Sequence, residues 1–217
     1  MVSLKEFNTT GVCVPDKHYM VDISDKLAEI EKMVDKGRYF TINRPRQYGK
    51  TTTLYLLTKK LLKKDYFVLK MSFEAKSTKI FASEDEFIKS FVKEIERNIN
   101  LRVDKNREVL LSLVKENKDS LDNLEELGHF ISTLINKLKK EIILIIDEVD
   151  KSSNNQLFLD FLGVLRSKYL LREQGEDKTF HSVILSGVHD VKNLKTKLRS
   201  DEERKYNSPW NIAVDFE

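Results

Sequence analysis

Two rhythms of apolar residues divide this chain. Unbroken aliphatic and aromatic runs alternate with stretches in which apolar positions return every three or four residues. The first rhythm marks strands buried on both faces, the second amphipathic helices. Lys26–Lys36 carries Leu27, Ile30, Met33 and Val34 on one face, with Ser24 or Asp25 as its cap and Gly37 at its end. Tyr39–Asn43 reads as the first strand. A helix follows from about Gly49 to Lys64, striped by Leu54, Leu57, Leu61 and Leu62. Its lysines gather at the C-terminal end, where the helix dipole favours positive charge. Asp65 breaks it, and Tyr66–Phe73 is a second strand.

Ser83–Glu86 then forms a capping box ahead of a helix bearing Phe87, Phe91, Ile95 and Ile99. Residues 100–140 read as helical and highly charged, with a second capping box at Asp122–Glu125 and an apolar stripe from Leu124 to Leu138. These charges read as solvated faces. The character changes at Ile142–Ile146, five consecutive aliphatics that end in Asp147 and Glu148. That run predicts a central parallel strand. An amphipathic helix from Gln156 to about Arg172 and a buried strand over His181–Gly187 follow, the latter expected between the first strand and the Asp147 strand. Lys192–Glu203 reads as helix, Ser208-Pro209 as a break, and Trp210–Phe216 as a last strand. Alternating strands and helices predict an α/β fold, a parallel sheet with helices on both faces.

Composition narrows the class. A chain of 217 residues fits one domain, or one domain plus a small appendage; here residues 1–37 read as an N-terminal arm and helix packing on the core, and 38–217 as the core. Three prolines and seven glycines disfavour an all-β fold. The 38 basic and 35 acidic residues leave +3, a balance that does not announce a nucleic-acid binder. The single Cys13 excludes an internal disulfide and fits a reducing compartment. No apolar run approaches membrane-spanning length, and the N-terminus resembles no signal peptide, so a cytoplasmic protein without membrane association is expected.

The candidate chemistry lies between the first strand and the helix after it. Strand, turn, Gly49-Lys50-Thr51 and helix follow in the order a phosphate-binding loop needs. Backbone N–H groups at the helix start would face a polyphosphate, Lys50 would reach its β- and γ-phosphates, and the Thr51 hydroxyl would ligate Mg²⁺. The usual pattern is G-x-x-x-x-G-K-S/T, whereas Arg44 stands at the first glycine position. Downstream, Asp147 would complete the metal site, and the adjacent Glu148 would polarise an attacking water. A kinase acting on a small molecule would not need an acid in that water position, so Glu148 tilts the reading towards hydrolysis. Ser186 at the end of its strand, or His189 just after it, is placed to contact the γ-phosphate or the water. Arg44, Arg46, Arg166, Arg199 and Arg204 are candidates for an activating arginine. Near the N-terminus, His18 and Tyr19 either stack on a base or, in the case of Tyr19 together with Met20, pack the arm onto the core.

The combination of Phe7-Asn8-Thr9, His18–Asp22, the stretch Tyr39–Thr52, Ile146–Asp150 and Ser186–Asp190 resembles the bacterial AAA-like ATPases. These belong to the additional-strand, catalytic-glutamate division of P-loop proteins, near the archaeal-type and STAND ATPases. The likeness covers nearly the whole chain and is most specific at Arg44-Pro45-Arg46-Gln47-Tyr48-Gly49-Lys50-Thr51, since relatives tolerate arginine at the Arg44 position. It implies a three-layer αβα P-loop core whose five parallel strands run in the order 5-1-4-3-2. It also implies nucleotide binding by Arg44 to Thr52, with Thr52 included, and a sensor role for Ser186. A C-terminal helical lid is implied too and is not evident before Glu217. The expected cofactors are ATP and Mg²⁺; no guanine-selective N-K-x-D run follows the Asp147 strand. The readings in play are an ATP-hydrolysing switch acting through a protein partner or self-association, a nucleotide-gated interaction module with little turnover, and a nucleic-acid-associated ATPase.

Overall fold

A computed structural model describes residues 4–43, 45, 48–74, 76–101, 106–152, 155–188, 210 and 212–216. The helix expected over Lys192–Glu203, the break at Ser208-Pro209, and Arg44, Arg46, Gln47, His189, Arg199 and Arg204 lie outside them. Chain order is α1 (Ser24–Asp35), β1 (Tyr39–Asn43), α2 (Lys50–Lys63), β2 (Phe67–Ser72), α3 (Glu84–Leu101), α4 (Arg107–Asn117), α5 (Leu124–Leu138), β3 (Ile142–Asp147), α6 (Gln156–Glu173), β4 (Ser182–Gly187) and β5 (Val214–Phe216).

The four long strands lie in the order 1-4-3-2 and pair in parallel throughout, with β4 between β1 and β3. The outer edge of β1 carries β5, also parallel. This last strand holds three residues instead of the seven expected over Trp210–Phe216. Trp210 instead leaves the sheet edge, is fully buried, and stacks on Tyr39 with ring centroids 5.8 Å apart.

Strand β3 explains why the sheet has two cores. Ile142, Leu144 and Ile146 pack with the aromatic cluster of Phe87, Phe91, Phe158 and Phe161, on the α3, α5 and α6 side. Ile143 and Ile145 pack with Leu27, Ile30, Leu54 and Leu57 from α1 and α2. All five aliphatics are at most 1% exposed. Each fully buried side chain of this kind contributes roughly 1.5–3 kcal/mol relative to exposure. The β-branched run therefore serves both faces of one strand, and the helices cover it as outer layers.

Helix entries differ in detail from the sequence reading. Helix α1 begins at Ser24, and the Asp22 carboxylate accepts from both the backbone N–H and the hydroxyl of Ser24. The box expected at Asp122–Glu125 sits one residue later: Asn123 Oδ1 accepts from Glu126 N–H at 2.9 Å, and the Glu126 carboxylate accepts from Asp122 N–H. At α3, Ser83 caps Glu86 as expected.

Candidate functional site

Parallel strands all point their C-terminal ends the same way, so the loops after β1, β2, β3 and β4 meet at one edge of the sheet. After β1 the chain turns at Pro45 and Tyr48, both exposed, and reaches Gly49, the residue capping α2. Gly49 has φ +73°, and a Cβ there would meet nothing within 4 Å. Glycine is needed for its backbone conformation, not for space. Helix α2 then starts with Lys50, so its free N–H groups and positive dipole end open at this edge.

Lys50 is 6% exposed, and its Nζ is buried without a hydrogen-bond partner among the described residues. The nearest carboxylate is Glu148, with Oε1 3.7 Å away. Thr51 is exposed beside it. Asp147 ends β3 buried at 5% exposure, and its Oδ1 accepts from Glu148 N–H at 3.0 Å. Glu148 then turns into the left-handed region, φ +56° and ψ +43°. That conformation costs a non-glycine residue about 1–2 kcal/mol. It swings Glu148 out of the strand alternation, which is how two successive acids come to occupy different surroundings.

An open cleft of about 830 Å³ joins Lys50, Thr51 and Glu148. Gly49, Lys50, Thr51, Thr52 and Glu148 form one side, and the arm residues Phe7–Gly11, Cys13 and Tyr19 form the other, with Glu74 from the turn after β2. Asp147 and Ser186 do not line it. Ser186 lies one residue beyond the Leu185–Ile146 pair, hence beside Asp147, but is fully buried with an unpartnered Oγ. Arg166 sits in the second half of α6, the half leading to Arg172, which bonds the carbonyls of Gly37, Phe180 and His181 at the opposite end of β1 and β4.

Two side chains at the cleft have partners in the arm. Thr52, grouped with the phosphate-binding residues, turns its hydroxyl to the arm: Oγ1 accepts from Cys13 N–H at 3.0 Å. Tyr19 does not pack into the core; it is 53% exposed at the cleft rim with its ring centroid 5.1 Å from that of Phe7. His18 is committed to the arm itself, its Nδ1 accepting from Val14 N–H at 2.9 Å. The arm closes as a small loop through Glu6 N–H to Lys17 O and Tyr19 N–H to Glu6 O, both 3.0 Å. The Cys13–Thr52 contact and Asn43 were missed by sequence reasoning. A contact spanning 39 positions leaves no local signal, and Asn43 reads as an ordinary strand end.

The polar atoms at this edge test whether a nucleotide fits. Three of them, Asn43 Oδ1, Lys50 Nζ and Ser186 Oγ, are buried without partners. Each such group costs roughly 1–3 kcal/mol, and three at one edge call for a ligand. The ammonium suits a phosphate oxygen, the hydroxyl can donate or accept, and the Asn43 oxygen can accept from water around a cation. Lys50, Thr51, Asp147 and Glu148 fit Mg²⁺ and a polyphosphate.

Residues 12–194 match the AAA-like domain family, 183 of the 217 positions. The chain belongs to the AAA-like domain family. No curated protein matches it. Among solved structures, Cdc6p from Pyrobaculum aerophilum is similar over 88% of this chain at 16% identity and TM-score 0.51, a likeness of fold. The ORC2 protein of Aeropyrum pernix, solved as ADPNP–ADP complexes, is similar over 88% at 13% identity and TM-score 0.46. The AAA-like chain spans 44% and 46% of those two proteins, less than half of either. No helix among its described residues is long and apolar enough to cross a membrane.

Proposed function

We propose that this AAA-like domain binds ATP with Mg²⁺ and hydrolyses it as a switch. The observation that supports this most is Lys50 Nζ, buried without a hydrogen-bond partner at the dipole end of α2 and facing a cleft it shares with Thr51 and Glu148. An ammonium in that state, offset only by the 3.7 Å ion pair to Glu148, gains further when a phosphate anion arrives. In this reading Lys50 holds the β- and γ-phosphates, assisted by the backbone from Arg44 to Thr51, and Thr51 and Asp147 hold the metal. Mg²⁺, when bound, neutralises charge on the phosphates. Glu148 orients a water and accepts its proton. Ser186 reports on the γ-phosphate through a hydroxyl that has no other partner. Action through a protein partner or self-association, and a cytoplasmic setting, belong to the same proposal.

Phosphate release with ATP and with GTP, comparing wild type with Glu148→Gln, is the test. Lys50→Ala is expected to abolish ATP binding, and Glu148→Gln to keep binding and stop turnover. Hydrolysis that survives Glu148→Gln unchanged removes Glu148 from this role.

One observation favours a second reading, a nucleotide-gated interaction module with little turnover. Glu148 is drawn towards Lys50 at 3.7 Å, and an acid held by that ammonium polarises water poorly. Binding of a fluorescent ATP analogue without phosphate release, even with partners added, decides for it. For a nucleic-acid-associated ATPase, two of the lysines at the end of α2 offer less than the sequence suggests, since Lys60 and the capping Lys64 are paired with Glu31 and Asp35. Absence of DNA binding at low salt disposes of that reading.

A further inference from the structure

The turn after Glu148 is tied to the tip of β4 by a carboxylate to which none of the above gives a task. Asp150 Oδ2 accepts from the backbone N–H of Val188 at 2.6 Å. Val188 follows Ser186 and Gly187, the last residues of β4. Asp150 lies two residues after Glu148, in the short 3₁₀ turn Val149–Lys151. Ser152, fully buried, closes that turn by bonding back to the Val149 carbonyl through both its N–H and its hydroxyl. The turn cannot shift without disturbing the Asp150 bond, and the β4 tip cannot shift without it either.

Gly187 shows how closely the two segments meet. Its φ is not in the left-handed region, so no backbone requirement selects glycine there. A Cβ at that position would lie 3.0 Å from Val149 Cγ2 and 3.1 Å from each Asp150 carboxylate oxygen. Contacts that short require Val149 or the Asp150 carboxylate to give by a few tenths of an ångström before a side chain fits. The 3₁₀ turn packs tightly against the strand tip at this glycine. The short charge-assisted bond from Val188 then sets the register of the contact.

We propose that Asp150 is a positioning residue: its carboxylate fixes the β4 tip, and with it Ser186, relative to the left-handed backbone of Glu148. The functional half of this inference rests on the hydrolysis reading above. Through this junction a change at the buried Ser186 hydroxyl is felt at Glu148, and the acid is held in the rare conformation that separates it from Asp147. Asn keeps an acceptor oxygen in the same place, whereas Ala removes it. Gly187→Ala attacks the same junction from the other side by inserting a methyl group and deleting no polar atom.

The test combines hydrogen–deuterium exchange over residues 182–188 with ATP turnover and ATP binding, on wild type, Asp150→Ala, Asp150→Asn and Gly187→Ala. Asp150→Ala and Gly187→Ala are expected to speed exchange at Val188 and to lower kcat roughly ten- to a hundredfold, the cost of misplacing a catalytic group by about an ångström. The Kd for ATP should stay within about threefold, because Lys50 and the α2 terminus are untouched. Asp150→Asn should restore both exchange protection and kcat to near wild type. Unchanged exchange and kcat in Asp150→Ala overturn the proposal, as does an equal loss of ATP affinity and kcat, which marks general disruption. A silent wild type refutes the hydrolysis reading instead. The latch is then judged by exchange alone, with protection lost in Asp150→Ala and kept in Asp150→Asn supporting it, and any other pattern overturning it.

Discussion

Replacing Lys50 by methionine keeps the aliphatic stem and removes the ammonium, and the structure requires the two consequences to have opposite signs. Without nucleotide, Nζ is buried and makes no hydrogen bond. A buried charged donor in that state costs about 1–3 kcal/mol or more. The offset is a single 3.7 Å ion pair to Glu148, whose side chain is 26% exposed, a contact that contributes at most about 1 kcal/mol. Removing the charge should therefore stabilise the nucleotide-free protein by roughly 1–2 kcal/mol. For a chain of this size that raises Tm by about 2–8 °C. With nucleotide the order reverses. Wild type at a hundred times its Kd gains about 2.7 kcal/mol, while Lys50→Met gains nothing. Thermal unfolding followed by fluorescence, with and without Mg-ATP, reads all four states. A Lys50→Met protein that melts below wild type without nucleotide, or that still gains stability from Mg-ATP, refutes the reasoning.

Two further outcomes follow from side chains whose partners are known. Thr52→Val removes the acceptor for Cys13 N–H; exchange at Cys13 should rise and ATP affinity fall, with Thr52→Ser restoring both. No change in Cys13 exchange would separate the arm from α2. Burial raises the Asp177 pKa, but hydrogen bonds from Lys168, Ser132 and the Lys178 backbone outweigh it, leaving the carboxyl below its ordinary value of 3.8. A depressed folded-state pKa contributes stability above the unfolded value that is lost as pH falls below about 3.8. Wild type should exceed Asp177→Asn in urea midpoint at pH 6, and the gap should close on acidification through that range. A gap that stays constant with pH would assign the contribution to packing.

The sheet was legible because its signal is local and redundant. Ile142–Ile146 needs no partner to declare itself, since only a strand covered on both faces can use five consecutive aliphatics. Parallel pairing then follows from the helices between strands. Helix entries were less legible for a plain reason. Asp22, Ser24 and Asp25 are all short polar residues able to cap, as are Asp122 and Asn123, and backbone φ and ψ decide among them. The last strand was overestimated for a different reason: Trp210 is as β-prone as its neighbours, yet its ring is buried and stacks on Tyr39.

The candidate site divides along the same physical line. Lys50 and Thr51 at a helix start, and Asp147 and Glu148 at a strand end, are read from order alone, because each position is fixed by the element that carries it. Thr51 and Thr52 are chemically identical and adjacent, both line the cleft, and nothing in their types says which hydroxyl bonds the arm. The choice belongs to the 100° step between successive helix positions and to an arm that begins 39 residues earlier. Glu148 is the sharper case. Glutamate is a poor choice for φ +56°, and local preference argues against the conformation observed. Only the surroundings hold it there: the Asp147 side chain takes its N–H, the turn after it is closed by buried Ser152, and Asp150 binds that turn to β4. A residue kept in a costly backbone state by three neighbours is where local rules fail and chemistry is expected. Gly187, without any glycine-specific dihedral, answers to a closely packed neighbouring segment, whereas Gly49 answers to its own backbone.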